Sequence, residues 1–253
     1  MGRGVFRAVL IATLSLRMAA AWRFEQSGRP TCTGGPGGVT PSRSAWMAGL
    51  QGPGPWPVAE EFIRVIRIIL ARHGRPAWDF RTPIPGHGLA EWLRGEADAP
   101  LDSSHPPSAD LEQLSRIAKC LVTSPLRRSR DSAQLLAPAT APLVDPCFRE
   151  AELPCAIRSG LRLRPRLWEW LARSAWFCGW SAGAESFKAA RARASRAASL
   201  LTARAEACGA VVLVGHGLMN ILIARRLRIA GWRGPRFPSP QHWTFGVYER
   251  AAA

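Results

Sequence analysis

Three short polar segments of the 253-residue chain each follow an apolar run, and together they carry two histidines and a set of arginines. The first segment holds His73 within Ala-Arg-His-Gly, the second holds Arg128 within Ser-Pro-Leu-Arg-Arg-Ser-Arg, and the third holds His216 between two glycines. A neutral imidazole is a competent nucleophile, and guanidinium groups match the oxygens of a phosphoryl group. These residue types point to phosphoryl chemistry.

Phosphoryl chemistry gives each of these residue types a task. A covalent intermediate on His73 would divide the slow hydrolysis of a phosphomonoester into two easier steps. Arg72 and Arg128 would bind phosphoryl oxygens, each charge-assisted hydrogen bond contributing roughly 1.5–3 kcal/mol, and would favour the neutral imidazole. A protonated His216 would add a donor, and a carboxylic acid would protonate the leaving oxygen and later activate water. We expect no metal and no cofactor, because no cluster of metal-ligand residues accompanies the segments.

The apolar runs before the three segments predict the strands that position them. Short β-branched runs cover 65–71, 120–123 and 210–214, and a fourth strand is predicted over 243–248. Helical patterns lie between the strands at 108–118, with Ser108 as N-cap, and at 127–136, 184–207 and 218–227. Strands that alternate with helices predict a three-layer α/β/α fold with a mainly parallel sheet. In such sheets ligands bind at the carboxyl ends of the strands, where the three segments fall.

In this order and spacing, the segments resemble the histidine phosphatase superfamily, which has the phosphoglycerate mutase-like fold. The family opens with a strand, R-H-G and then W-N, and this chain has Arg72-His73-Gly74 followed by Trp78-Asp79. The family block S-x-x-x-R-A-x-x-T-A resembles residues 124–133 and places the family arginine on Arg128. The last block, an apolar strand followed by G-H-G, places the second family histidine on His216. The agreement extends from about residue 64 to residue 248.

The resemblance also implies a general acid between the second and third blocks. The candidate segment is 148–154, where Glu150 has the Phe-x-Glu spacing of the family and Glu152 is the alternative. Asp79 replaces the usual asparagine. Since a carboxylate beside a bound phosphate would be repelled, we expect Asp79 to face away or to be bridged by a donor. The implied catalytic residues are therefore His73, Glu150 and His216, with phosphate bound by Arg72, Arg128 and His216.

The function implied by the resemblance is a phosphomonoester hydrolase that acts through a phosphohistidine on His73. Two alternatives stay open. One is a phosphoglycerate mutase-type phosphotransferase, although residues 81–88 do not resemble the extended segment of mutases. The other is a catalytically inactive family member that acts as a binding protein. The expected partner is a small phosphorylated substrate, open among sugar phosphates, nucleotides, phosphoproteins and cofactor precursors, and the oligomeric state is not indicated.

Charge and cysteine content bear on partners and location. The net charge is +16, and almost all of the basic residues are arginines. They are spread along the chain without a run of five or more basic residues. This distribution favours a small anionic substrate over nucleic acid. The six cysteines form no C-x-x-C pair and have no zinc-like spacing to histidine. We therefore expect reduced thiols and a cytoplasmic protein, without a structural metal or a disulfide framework.

Residues 1–57 differ in composition from the rest of the chain. A basic start and an apolar run at 8–16, too short to span a bilayer, precede a stretch rich in Gly, Pro, Ser and Thr. Three interpretations are an export signal over 1–21, a mobile extension, and translated sequence upstream of a true start near Met47; we favour the last two. The expected organisation is a disordered or processed extension over 1–57 and a histidine phosphatase domain over 58–250, with no transmembrane segment.

Four tryptophans lie between the candidate acid and the last block, at positions 168, 170, 176 and 180. We expect them to pack in a core. The alternative is an aromatic cap over the site that selects an apolar leaving group. No motif surrounds His87, His105 or His242, so we expect loop or structural roles for these three histidines.

Overall fold

A five-stranded sheet forms the centre of the structure, a computed structural model that describes residues 65–252. Its strand order is β4-β3-β6-β1-β7. Only the outer strand β7 runs antiparallel to its neighbour, so the mainly parallel sheet is confirmed. A separate hairpin pairs β2 with β5. The strands are β1 (Val65–Arg72), β2 (Ile84–Pro85), β3 (Cys120–Thr123), β4 (Leu143–Val144), β5 (Arg162–Leu163), β6 (Ala210–Gly215) and β7 (Phe245–Ala251).

Six α-helices and two 3₁₀ turns connect the strands of the described region. The helices are α1 (Leu89–Asp98), α2 (Ala109–Ile117), α3 (Arg127–Leu136), α4 (Pro165–Phe177), α5 (Phe187–Cys208) and α6 (Gly217–Ile229), and the 3₁₀ turns are Gly86–Gly88 and Pro146–Phe148. Ser108 caps α2 as predicted, because its hydroxyl accepts the N–H of Leu111 at 3.3 Å. Strand β7 begins at Phe245 rather than at Trp243.

The alternation of side chains along the sheet produces the predicted three layers. Ile66, Ile68 and Leu70 of β1 pack in one cluster with α5 and α6, whereas Ile69 and Ala71 pack in a second cluster with α2 and α3. Helix α5 packs against the sheet through five alanines on one face of the helix, which bury a small-residue surface. These alanines are Ala190, Ala194, Ala197, Ala198 and Ala205. The α/β/α fold is therefore confirmed.

A third, smaller cluster joins α1, α4 and the β2–β5 hairpin, none of which was predicted. Neither helix has a side-chain cap, and each hairpin strand has only two residues. The one start signal is Pro165 at the beginning of α4. Trp168 is buried here and its indole N–H donates to the carbonyl of Ile84 at 3.0 Å. Core packing is thus confirmed for Trp168, and also for Trp176, which is buried in the cluster against α5. Trp180, by contrast, is 40% exposed.

The expectation of reduced thiols is wrong for one pair, because Cys120 and Cys208 form a disulfide. It joins the first residue of β3 to the last residue of α5, across a sequence separation of 88. Spacing rules detect neighbouring cysteines, and this pair meets only through the fold. Since disulfides persist in oxidising compartments, the cysteine content no longer argues for the cytoplasm.

The interpretations of residues 1–57 lie outside the described residues. Between residues 65 and 252, no helix combines the length and the apolar character that crossing a membrane requires.

Candidate active site

The carboxyl ends of β1, β3 and β6 lie side by side and carry the three polar segments. Strands β1 and β6 pair in parallel with Arg72 opposite Gly215, and β3 pairs in parallel with the other edge of β6. The backbone N–H of His73 donates to the carbonyl of Gly215 at 3.0 Å. His73 and His216 therefore follow neighbouring strands at the same level, and their ring centroids are 5.0 Å apart.

The ring of His73 has one defined tautomer. Its Nδ1 lies 2.8 Å from the carbonyl oxygen of Gly74, which can only accept, so Nδ1 carries the proton. Its Nε2 then has a free lone pair, which accepts the Nε–H of Arg128 at 3.1 Å. His73 is 2% exposed, and burial, reinforced by His216 and Arg128, holds its pKa well below 6.5. The environment of His73 therefore favours a neutral imidazole with an unprotonated Nε2.

Two serines of the second segment support the loops that carry the histidines. Ser132 accepts the backbone N–H of Gly74 at 2.8 Å, and the hydroxyl of Ser124 lies 2.7 Å from Nε2 of His216. Gly74 itself has no room for a side chain, because a Cβ there would lie 2.5 Å from a ring carbon of Trp243. These contacts explain why serines and a glycine stand at these motif positions.

His216 is fully buried and differs from our expectation in its charge. Burial, followed by the charges of Arg128 and Arg72, lowers its pKa well below 6.5, which favours a neutral rather than a protonated ring. Its Nδ1 has no hydrogen-bond partner between residues 65 and 252. When Ser124 donates to Nε2, the proton of the neutral ring lies on Nδ1 and makes it an unused donor.

The two phosphate-binding candidates also have unused donors. Arg128 is 8% exposed, and its Nη1 lies 3.6 Å from a carboxylate oxygen of Glu96 without a hydrogen-bond partner in the described region. Arg72 donates through Nη1 to the carbonyl of Pro240, while its buried Nε has no partner there. Burial lowers the pKa of Arg72, and the carboxylate of Glu150 opposes that shift. Sequence reasoning missed Glu96, which belongs to no motif and reaches the site from α1.

Glu150 and Glu152 both line the cavity but have different surroundings. The carboxylate of Glu150 accepts the backbone N–H groups of Leu218 at 3.2 Å and Met219 at 2.9 Å, in the first turn of the helix that begins after His216. The half-exposed carboxylate of Glu152 instead accepts the N–H of Glu185 at 2.9 Å.

A cavity of about 600 Å³ opens onto these groups. Arg72, His73, Arg128 and Glu150 all contribute to its wall, whereas His216 is not among the lining residues. This volume exceeds what a phosphoryl group needs and leaves room for a leaving group. Among residues 65–252, no group of three or more His, Cys, Asp or Glu side chains is arranged to hold a metal ion.

Asp79 lies away from this cavity, as the charge argument predicted. Its exposed carboxylate accepts the backbone N–H groups of Arg81 at 2.7 Å and Thr82 at 3.2 Å, and hydrogen bonding by Thr82 lowers its pKa. His87 and His105 are also outside the cavity wall.

His242 lies beside His73, a position that the sequence did not indicate, because the loop before β7 carries no motif. Its ring centroid is 5.1 Å from that of His73, and its Nδ1 lies 3.2 Å from the His73 carbonyl oxygen.

Arg193, which sequence reasoning also missed, holds the segment that ends in Glu150. This buried side chain donates through Nη1 to the carbonyls of Cys147 at 2.9 Å and Arg149 at 2.6 Å. Its Nε and Nη2 donate to the two carboxylate oxygens of Glu185 at 2.8 and 2.6 Å. Because Arg193 does not line the cavity, its contribution is to fix the backbone that carries Glu150.

We expect Arg193→Met to lower the free energy of unfolding by about 3–5 kcal/mol, because it leaves the carboxylate of Glu185, only 16% exposed, without its partner. The double variant Arg193→Met, Glu185→Gln should recover part of this loss, since no unpaired charge stays buried. Urea denaturation measures both values. Arg204→Met, at an exposed position of the same helix, is the control and should change the stability by less than about 0.5 kcal/mol. A loss below about 1 kcal/mol in Arg193→Met would contradict the assigned role.

Three histidines of the site make the fold sensitive to acid. The pKa values of His73 and His216 lie well below 6.5, and burial together with Arg72 lowers that of His242 to about 3. Below pH 6.5 the unfolded chain binds protons that the folded protein does not, so stability falls as the pH falls. Each histidine should contribute up to roughly 1.4 kcal/mol per pH unit.

We therefore expect His242→Asn to flatten the pH dependence of unfolding between pH 6 and pH 5 by about a third, because one of three such histidines is removed. Urea denaturation at the two pH values measures the slope for the parent and the variant. An unchanged slope would show that His242 does not contribute in this way.

A family profile described as the histidine phosphatase superfamily (branch 1) matches residues 68–244. The chain belongs to this superfamily, so the resemblance found in the sequence is confirmed. Membership places the chain among enzymes of the phosphatase and mutase type. A comparison with curated proteins gives no match.

Solved structures similar to this chain include phosphatases and a mutase. A mycobacterial glucosyl-3-phosphoglycerate phosphatase is 22% identical over 65% of this chain and 80% of its own, with a TM-score of 0.43. The protein named mycobacterial hydrolase 1 is 25% identical over 64% and 78%, with a TM-score of 0.46. Phosphoglycerate mutase from Bacillus anthracis is 16% identical over 66% and 82%, with a TM-score of 0.41.

Proposed function

We propose that this protein is a phosphomonoester hydrolase in which His73 takes the phosphoryl group from the substrate. The observation that carries the proposal is the state of the His73 ring. Its proton is held on Nδ1 by the Gly74 carbonyl, and its Nε2 lone pair lies at the wall of a cavity. The same cavity is lined by two arginines and by the carboxylate that would serve as the acid.

Three buried donors support a phosphoryl-binding role for this site. Nε of Arg72, Nη1 of Arg128 and Nδ1 of His216 are buried polar atoms without hydrogen-bond partners in the described region, and Nη1 of Arg128 has only the longer ion-pair contact to Glu96 at 3.6 Å. Buried polar groups are normally paired, and an unpaired group in a native protein calls for an explanation such as a ligand. A transferring phosphoryl group has three oxygens that would satisfy such donors, and charge-assisted bonds from guanidinium groups are among the strongest in proteins.

In the first step, Nε2 of His73 attacks phosphorus and the bond from phosphorus to the leaving oxygen breaks. Arg128 must first release Nε2, because one lone pair cannot both accept its N–H and attack. The phosphoryl oxygens offer Arg128 a replacement acceptor. Glu150, as a carboxylic acid, gives its proton to the leaving oxygen, so the alcohol departs neutral.

In the second step, the carboxylate of Glu150 takes a proton from water, and the water oxygen attacks phosphorus. The bond between phosphorus and Nε2 breaks, inorganic phosphate leaves, and both residues return to their starting states. Through both steps the Gly74 carbonyl keeps the Nδ1 proton in place. The cycle uses neither a metal ion nor a cofactor.

The placement of Asp79 removes one reason to regard the chain as an inactive family member. Its carboxylate is taken up by backbone N–H groups of its own turn and does not line the cavity. A phosphate bound near His73 would therefore not be repelled by Asp79, the residue that replaces the asparagine of the family.

Release of inorganic phosphate from a panel of phosphomonoesters, with the full chain and with excess chelator present, tests the proposal. We expect turnover that the chelator does not change. A parallel assay for the interconversion of 2- and 3-phosphoglycerate should show no flux above the rate of phosphate release. Mutase flux that exceeds hydrolysis would replace the proposal, and the absence of hydrolysis for every ester would contradict it.

A further inference from the structure

A second group of polar residues lines the same cavity from α4, and the phosphoryl chemistry does not use it. Arg166 and Glu169 are three residues apart on this helix, so their side chains share one face, and Trp170 follows directly. All three belong to the cavity wall. They are placed to contact the part of a substrate that the phosphoryl site leaves uncovered.

The neighbouring charged residues of the wall are already engaged, and this pair is not. Arg173 donates to the carbonyls of Ala151 at 2.9 Å and Glu152 at 3.2 Å. The side chains of Arg166 and Glu169 make no hydrogen bond to any residue between 65 and 252; the guanidinium of Arg166 lies 4.7 Å from the ring centroid of Phe80, which leaves its N–H groups unused. Their hydrogen-bonding groups are therefore available to a ligand.

The mixture of charges limits what a leaving group can be. Burial and the nearby carboxylate of Glu96 raise the pKa of Glu169, and Arg166 opposes that shift. A second anionic group on the substrate would be repelled by Glu96 and Glu169 and attracted by Arg166, and a cation would experience the reverse, so this part of the wall favours neither sign of charge. A wholly apolar group would cover both charged side chains and leave them unpaired, which is costly.

A hydroxyl group avoids each of these penalties. It donates to a carboxylate and accepts from a guanidinium, so neighbouring hydroxyls satisfy Glu169 and Arg166 together. The indole of Trp170 adds an apolar surface against which the C–H face of a ring can pack. The cavity volume of about 600 Å³ accommodates a ring of this kind beside the phosphoryl group.

We propose that the leaving group is a neutral, polyhydroxylated ring, such as a sugar or a cyclitol, whose hydroxyls are bound by Arg166 and Glu169 and whose face packs on Trp170. This inference rests on the proposed phosphatase function of the cavity. The inference differs from an aromatic cap that selects an apolar leaving group. Only one of the four tryptophans, Trp170, lines the cavity, and Trp170 lies beside two charged residues.

Phosphate release from matched alkyl monoesters tests the inference on the full chain. We expect kcat/KM for glucose 6-phosphate or myo-inositol 1-phosphate to exceed that for n-hexyl phosphate by at least about tenfold, the equivalent of one well-placed hydrogen bond. Values for 3-phosphoglycerate and phosphoethanolamine should fall below those for the polyol phosphates. Preference for hexyl phosphate, or for either ester with a second charge, would overturn the inference.

Variants of the two α4 residues test which side chains are responsible. Glu169→Ala and Arg166→Ala should each lower the ratio of kcat/KM for the sugar phosphate to that for p-nitrophenyl phosphate by about tenfold. Glu91→Ala, at an exposed position of α1 outside the cavity, is the control and should leave the ratio unchanged. If aryl phosphate is hydrolysed and the ratio does not respond, the inference fails while the phosphatase function stands. If no ester is hydrolysed, both fail.

Discussion

Replacing His73 with alanine should lower the turnover of p-nitrophenyl phosphate by roughly 10³- to 10⁶-fold, as expected for loss of a nucleophile. No other imidazole should replace it, because neither His216 nor His242 lines the cavity and the Nε2 of His216 lies 2.7 Å from the hydroxyl of Ser124. The measurement is steady-state release of p-nitrophenolate. Since His73 is buried and accepts a bond from Arg128, the circular dichroism spectrum and the melting temperature must show that the variant is folded.

His87→Ala is the matched control for this experiment. His87 is exposed in the 3₁₀ turn before α1 and does not line the cavity, so its replacement should change turnover by less than about twofold. A folded His73→Ala protein that turns over the aryl phosphate at the parental rate would exclude His73 as the nucleophile.

Replacing Glu150 with glutamine should produce a loss that depends on the leaving group. General acid catalysis contributes about 10² to 10⁴ when the departing oxygen is basic, so hydrolysis of an alkyl phosphate should fall by that factor. An aryl phosphate with a good leaving group needs little protonation in the first step. Its first turnover should stay fast, and the phosphoenzyme should then accumulate, because the glutamine amide cannot take a proton from water. Rapid-mixing experiments would show this as a burst of p-nitrophenolate.

Glu152→Gln, two residues away, separates the two candidate acids. The carboxylate of Glu152 accepts the N–H of Glu185 and is half-exposed, so its replacement should cost much less than that of Glu150 and should show no dependence on the leaving group. A larger, leaving-group-dependent loss in Glu152→Gln would reverse the assignment of the acid.

The central sheet and the motif residues could be predicted because their signals are local. Strand β3 and helix α3 have the predicted bounds, since a β-branched run and an amphipathic helix are each encoded within about ten residues. The carboxyl ends of parallel strands meet at one edge, which is why His73 and His216 could be placed together before their separation of 5.0 Å was known.

The remaining features depend on contacts between distant parts of the chain. Glu96 reaches Arg128 from α1, Arg193 reaches the Glu150 segment from α5, and the disulfide joins residues separated by 88 positions. The charge of His216 also depends on its environment, because burial lowers the pKa of the ring after folding. None of these interactions leaves a pattern within a short window of sequence.

Trapping the phosphoenzyme tests the central claim most directly. The Glu150→Gln protein, mixed with p-nitrophenyl phosphate and quenched in alkali, should carry one phosphoryl group on the peptide that contains His73, because phosphohistidine survives alkali. The same modification should be acid-labile and absent from the His73→Ala protein. Modification of a different residue, or hydrolysis that proceeds without any phosphoenzyme on His73, would contradict the account.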